Sequence, residues 1–170
     1  MNTTAPTPEM IHARTICLRA GEEARRRGDR RIGTEHVLLA LFDESSIEGL
    51  LGVNRDRARG ALDALDDEAL AVVGLGSITH VPPLPTRPVS KRPRFTDVAS
   101  RSRLALTPAA KKVLERAVKP NRRKTYVTAP QVLDQILRLP PLDPAAVLLE
   151  ALGVDVVQLQ RRLDGITPTK

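Results

Sequence analysis

Five prolines fall between Val81 and Pro93 (Pro82, Pro83, Pro85, Pro88 and Pro93). Each removes a backbone donor and disfavours helix at the residue before it, so no helix can run through this stretch. With Gly74 and Gly76 before it and Ser100, Arg101 and Ser102 after it, the segment 74–103 reads as an extended, partly polyproline-like connector. The chain is thereby cut into two blocks, and both carry the apolar spacing of helices.

In the first block, Thr7-Pro8 has the form of a helix start, and Met10, Ala13, Cys17, Ala20 and Ala24 follow at spacings of three and four until Gly28. Thr34 is placed to cap a second helix whose stripe is Val37, Leu38, Leu41 and Phe42. A short segment Ile47 to Leu51 ends at Gly52, and Asn54 caps a last helix through Ala58, Ala61, Leu62 and Leu65. The second block repeats the plan. Thr107-Pro108 opens a helix with Ala110, Val113, Leu114, Ala117 and Val118 on one side; Val132, Leu133, Ile136 and Leu137 form the next stripe. Asp143-Pro144 starts a third helix that Gly153 ends, and Asp155 with Gln158 forms a capping box for a fourth.

The blocks superpose in sequence. Ala13, Ile16, Cys17 and Ala20 meet Ala110, Val113, Leu114 and Ala117 at an offset of 97, and Val37, Leu38 and Leu41 meet Val132, Leu133 and Ile136 at 95. Leu51-Gly52-Val53 meets Leu152-Gly153-Val154 at 101. Two copies are too few for a solenoid. The expectation is one all-α domain over 1–170, built from two pseudo-twofold four-helix repeats at 8–73 and 104–165 joined by the long Pro/Arg-rich connector.

Composition agrees with a helical core. Aromatics make up 2% of the 170 residues, leaving Leu, Val, Ile and Ala to fill the interior and leaving almost nothing on which single-stranded bases could stack. The net charge of +7 is regional: residues 71–124 hold 13 basic and 2 acidic side chains, and the remainder 14 against 18. The cluster Arg87 to Lys124 therefore admits a nucleic-acid-associated reading as the alternative to a solvated linker. One cysteine excludes an internal disulfide, and with His12, His36 and His80 as the only histidines no metal centre and no cofactor is expected. No run approaches the roughly 18 apolar residues of a membrane span and no signal-peptide core is present, so the sequence reading is cytoplasmic.

Against this background the run Ile32-Gly33-Thr34-Glu35-His36-Val37-Leu38-Leu39-Ala40-Leu41 resembles the signature of the Clp N-terminal repeat, the domain at the front of Clp-type AAA+ unfoldases such as ClpC and ClpA. Ala20-Gly21-Glu22-Glu23-Ala24, Gly28 and Leu51-Gly52-Val53 extend the likeness, and Leu106 to Leu114 and Leu152-Gly153-Val154 carry it into the second block. The resemblance implies a non-enzymatic accessory of Clp proteolysis, a stand-alone recognition module without ATPase modules. Its partners would be substrates, adaptors, peptide ligands or the unfoldase itself, for which it would act as a decoy. No Gly-x-x-x-x-Gly-Lys-Ser/Thr loop occurs, and Gly74-Leu75-Gly76-Ser77 lacks the lysine of one.

In the ClpC branch, the Glu of the Thr-Glu-His motif receives the guanidinium of phosphoarginine. The resemblance gives that role to Thr34 and Glu35, with Arg25, Arg26, Arg27, Arg30 and Arg31 nearby to meet a phosphate. Glu35 read without the family is a first-turn carboxylate that favours the helix dipole. His36 is expected to fix the loop before the helix through a hydrogen bond. In the second block Ala129, Pro130 and Gln131 stand where Thr34, Glu35 and His36 stand in the first, so the second phosphoarginine site is expected to be absent. Relatives also bind adaptors and cyclic-peptide antibiotics at the start of the first helix and the inter-repeat region. The residues here are Met10, Arg92, Arg94 and Phe95, and the aromatics those ligands use are few. Cys17 reads as packing, and the pairs Glu22/Glu23 and Asp66/Asp67 as solvated surface.

Overall fold

The computed structural model describes residues 9–74, 104–118 and 126–166. Arg92, Arg94, Phe95 and all of the connector after Gly74 lie outside them, as does Thr7-Pro8. The described chain is mostly helical. Its elements are β1 (Met10–His12), α1 (Ala13–Arg27), β2 (Arg31–Ile32), α2 (Thr34–Leu41), α3 (Ser45–Leu51) and α4 (Arg55–Val72). After the connector come β3 (Ala105–Leu106), α5 (Pro108–Val118), β4 (Tyr126–Thr128), α6 (Ala129–Leu137), α7 (Pro144–Ala151) and α8 (Val156–Ile166).

Local chemistry explains most helix ends. Asn54 Oδ1 accepts the Arg57 N–H at 2.9 Å, Thr107 Oγ1 the Ala110 N–H at 3.3 Å, Asp143 Oδ1 the Ala145 N–H at 3.1 Å and Asp155 Oδ1 the Gln158 N–H at 3.0 Å. Each satisfies a donor that the first turn leaves without an intrahelical partner. At the other end, Gly28 adopts φ 81°, where a Cβ is disfavoured, and its N–H returns to the Ala24 and Arg25 carbonyls.

Two sequence expectations are corrected here. The first helix begins at Ala13, not at Thr7-Pro8, because Met10–His12 is extended and pairs antiparallel with β4, Met10 opposite Thr128 and His12 opposite Tyr126. His12 then caps α1, its Nδ1 accepting the Arg14 N–H at 3.1 Å. Thr34 is not the cap of α2 but its first helical residue; the extended residue before it is Gly33. Met10, read as part of the helical stripe, is exposed at 48%.

The second strand pair, β2 with β3, is parallel and sets Arg31 opposite Ala105 and Ile32 opposite Leu106. Around these strands α2 and α6 lie innermost. Val37, Leu38, Leu39 and Leu41 of α2 and Val132, Leu133 and Ile136 of α6 are essentially inaccessible. Ile16, Ala20, Ala24, Ile47, Ala110, Val113, Leu148, Leu149 and Leu163 complete one continuous core. Each fully buried Leu or Ile adds about 1.5–3 kcal/mol over its exposed state.

Candidate functional site

After Gly28 turns the chain, Asp29, β2 and Gly33 lead into α2 and place three functional groups in sequence. Gly33 is extended (φ −89°, ψ 179°) and, having no side chain, offers no cap of its own. The helix is closed from the other direction: the Gly33 N–H donates to His36 Nδ1 at 3.0 Å. His36 thus does the work that Glu or Gln does at the third position of a capping box, and holds the loop as the sequence suggested. Its ring is 1% exposed, and its Nε2 lies 3.0 Å from Asp29 Oδ2. Asp29 is in turn held by Arg27, whose Nε donates to the same oxygen at 3.3 Å.

The Glu35 carboxylate is folded back over Gly33 and is 16% exposed. A Cβ at position 33 would fall 2.1 Å from Glu35 Oε1, so a side chain there would displace the folded-back carboxylate, and it is this close approach and not the backbone angles that suits glycine. Glu35 Oε1 is also 3.0 Å from His36 Nδ1. Burial on its own raises the Glu35 pKa and is the largest single influence. The His36 side chain 3.0 Å away, a backbone hydrogen bond and Thr34 together outweigh it and hold the carboxyl below its ordinary value. Thr34 is buried, and its one hydroxyl proton goes to Asp143 Oδ1, the cap of α7, while Glu35 Oε2 stands farther off at 3.4 Å. Position 34 thus joins the two halves of the molecule, and position 35 is left with a carboxylate.

The arginines beside this site are mostly committed elsewhere. Arg27 reaches α4, pairing with Asp63 at 2.6 Å and with Asp66, and Arg26 pairs with Glu23 at 3.2 Å. Arg30 and Arg31 are exposed and form no ion pair with the described residues. Glu23 overturns the expectation of a solvated pair. It is 7% exposed and lies between Arg26 and Arg59, because α4 packs its arginine across α1. Glu22 and Asp67 are exposed as expected, and Asp66 is exposed but paired.

At the matching place in the second half the chemistry is different. Thr128 Oγ1 accepts the Gln131 N–H at 3.4 Å and Gln131 Oε1 accepts the Thr128 N–H at 3.0 Å, a complete capping box. Ala129 and Pro130 are buried in the first turn of α6. No carboxylate stands there.

A second feature sits where β3 meets α1. Arg14, Cys17, Leu18, Gly21, Arg25, Ile32, Leu104 and Leu106 line a mainly apolar hollow of about 230 Å³. Met10, named above for a partner surface, does not line this hollow; Leu18, which is 51% exposed, and Leu104 and Leu106 from the far side of the connector do. The signal in the sequence was Leu18, an apolar residue off the helical stripe of Ala13, Cys17, Ala20 and Ala24. Cys17 is half-buried there, and burial pushes its thiol pKa up.

Of the basic cluster, Lys111, Lys112 and Arg116 are described, all on the exposed face of α5, where Lys111 lies 3.7 Å from Glu115. Among the described residues no group of three His, Cys, Asp or Glu side chains is arranged to hold a metal, and no helix is long and apolar enough to cross a membrane. Comparison with known proteins finds no matching family model and no matching curated protein.

Proposed function

We propose that the chain is a Clp N-domain-like binding module, two helical repeats related by a pseudo-twofold axis, that serves Clp proteolysis without catalysing a reaction itself. The order of strand partners, though not their relative direction, is what a twofold would give. The first strand of the first half pairs with the second strand of the second half, and the remaining two strands pair with each other, although one pair is antiparallel and the other parallel. The ligand class is a guanidinium carrying a phosphate, as on an arginine-phosphorylated substrate, and the hollow of Leu18, Leu104 and Leu106 takes an adaptor, a peptide ligand such as a cyclic-peptide antibiotic, or the unfoldase. Competition with the unfoldase's own N-domain is the decoy role.

The observation that carries this reading is the state of Glu35. Glu23 and Glu44, the other well-covered glutamates, are each taken up by arginine, Glu44 by Arg19 at 2.7 Å. Glu35 is ionised, partly covered, and has no arginine or lysine partner among the described residues. A carboxylate in that condition suits an incoming guanidinium, which can form charge-assisted, bidentate hydrogen bonds with it.

Calorimetric titration with free phosphoarginine tests the assignment. One site is expected, lost in Glu35→Ala, because Pro130 supplies no second carboxylate. Two equivalent sites, or no binding, would contradict it. A pull-down from native extract that enriches neither Clp components nor arginine-phosphorylated proteins would remove the Clp connection.

A further inference from the structure

Two groups compete for one nitrogen at the start of α2. The Gly33 N–H and the Glu35 Oε1 each lie 3.0 Å from His36 Nδ1. A ring nitrogen has a single in-plane site, holding either a lone pair or a proton. With a lone pair it accepts from Gly33 and repels Glu35. With a proton it donates to Glu35 and abandons Gly33.

From this geometry we propose that His36 is a pH-dependent latch on Glu35. The proposal rests on the ligand reading above and adds its regulation. When the imidazole is charged, Nδ1–H holds the Glu35 carboxylate down over Gly33. When it is neutral, Nε2–H stays on Asp29, Nδ1 closes the cap by accepting from Gly33, and the carboxylate is free to swing toward a guanidinium. Imidazole is the side chain suited to such a change near neutrality.

On the elements packed against α2, Glu23 of α1 is paired with Arg26 and with Arg59 of α4. On the Nε2 side stands Asp29, shared with Arg27, which also holds Asp63 and Asp66 of α4. From α7, Asp143 touches Thr34 and not the ring. On the remaining neighbours, Lys111 and Glu115 of α5 face each other, and Asp134 of α6 is held by Arg138.

The second half shows what a cap without a latch looks like. Gln131 occupies the position of His36 and closes its helix with an oxygen that does not titrate, Pro130 replaces the carboxylate, and Thr128 stands where Gly33 leaves room for the folded-back carboxylate. The glycine, the glutamate and the histidine occur together in one half and are replaced together in the other.

The experiment follows the free protein by NMR from about pH 8 to about pH 5.5. As His36 becomes charged, the Gly33 amide should lose its acceptor and exchange faster, and the Glu35 carboxyl carbon should shift with the same midpoint. In His36→Gln, which keeps a capping oxygen as Gln131 does, neither signal should step. Phosphoarginine affinity of the wild type should fall about tenfold over the same interval, the worth of one charge-assisted hydrogen bond. Gly33→Ala ejects the carboxylate sterically and should bind without that fall, which also corrects for titration of the ligand itself. If the Gly33 amide and the Glu35 carboxyl ignore His36 in the free protein, the latch is wrong whatever binds. If they follow it and no variant binds phosphoarginine, the latch stands and the ligand assignment fails.

Discussion

The starts of α2 and α6, set against each other by the sequence offset of 95, solve the same problem with different residues. Both must satisfy the backbone N–H of the residue before the helix, and both do so from the third helical position, one through His36 and the other through Gln131. The second solution is entirely structural: two reciprocal hydrogen bonds and a buried Ala-Pro first turn. The first gives up one of those bonds by using glycine, and in exchange accommodates a carboxylate. A helix start that is less well capped than it could be is where a function would be expected.

The comparison can be broken first at the core, where the largest effects are expected. Leu38 and Leu133 are both inaccessible, at equivalent positions of the two helices. Leu38→Ala and Leu133→Ala should each cost about 2–5 kcal/mol in denaturant unfolding. If one costs several times the other, the halves do not share one core equally.

A smaller effect concerns the tie between the halves. Thr34 donates to Asp143, whereas Ala129 has no hydroxyl and Glu44, at the corresponding cap, turns to Arg19. Thr34→Val keeps the shape and should cost about 1–2 kcal/mol, since Asp143 retains the Ala145 N–H but loses a buried donor. An unchanged unfolding midpoint would show that this bond does not join the halves.

The smallest effect is on the pH dependence of stability. The Glu35 pKa is lowered in the folded state, so its contribution is present above the unfolded value of about 4.5 and is lost as pH falls through the folded value. Glu35→Gln should therefore flatten part of the acid limb of the stability curve below about pH 4.5 and leave the rest, because Glu23, lowered as well, titrates there too. Pro130 has no counterpart to remove. An acid limb identical to wild type would contradict the geometry at Gly33.

The sequence made some of this legible. Asn54, Thr107, Asp143 and Asp155 were readable as caps because each bonds a backbone N–H two or three residues away. The buried stripes were readable because apolar residues recur at helical spacing in both blocks. The start of α1 was not: what makes Met10–His12 a strand is Val127 and its neighbours, far along the chain, and the Thr7-Pro8 signal carries no trace of them. The role of Thr34 escaped for the same reason, since its partner Asp143 is 109 residues away. Arg27 was grouped with its basic neighbours, although its environment is set by Asp63 and Asp66 on α4. Local hydrogen bonding leaves a pattern in sequence; pairing across the fold does not.

The crossed strands also set an order of events. Met10 meets Thr128, and Ile32 meets Leu106 while its carbonyl accepts the Thr107 N–H at 2.8 Å. During synthesis the first half therefore emerges with both of its strands unmatched, and the earliest of them waits until residues 126–128 have left the ribosome. Helices form from local contacts and are fast, whereas joining distant segments must first overcome the entropy of closing the loop between them. Until that closure the nascent chain exposes two strand edges, open to pairing with a neighbouring chain. The short length of those edges, three residues and two, limits how well they could do so.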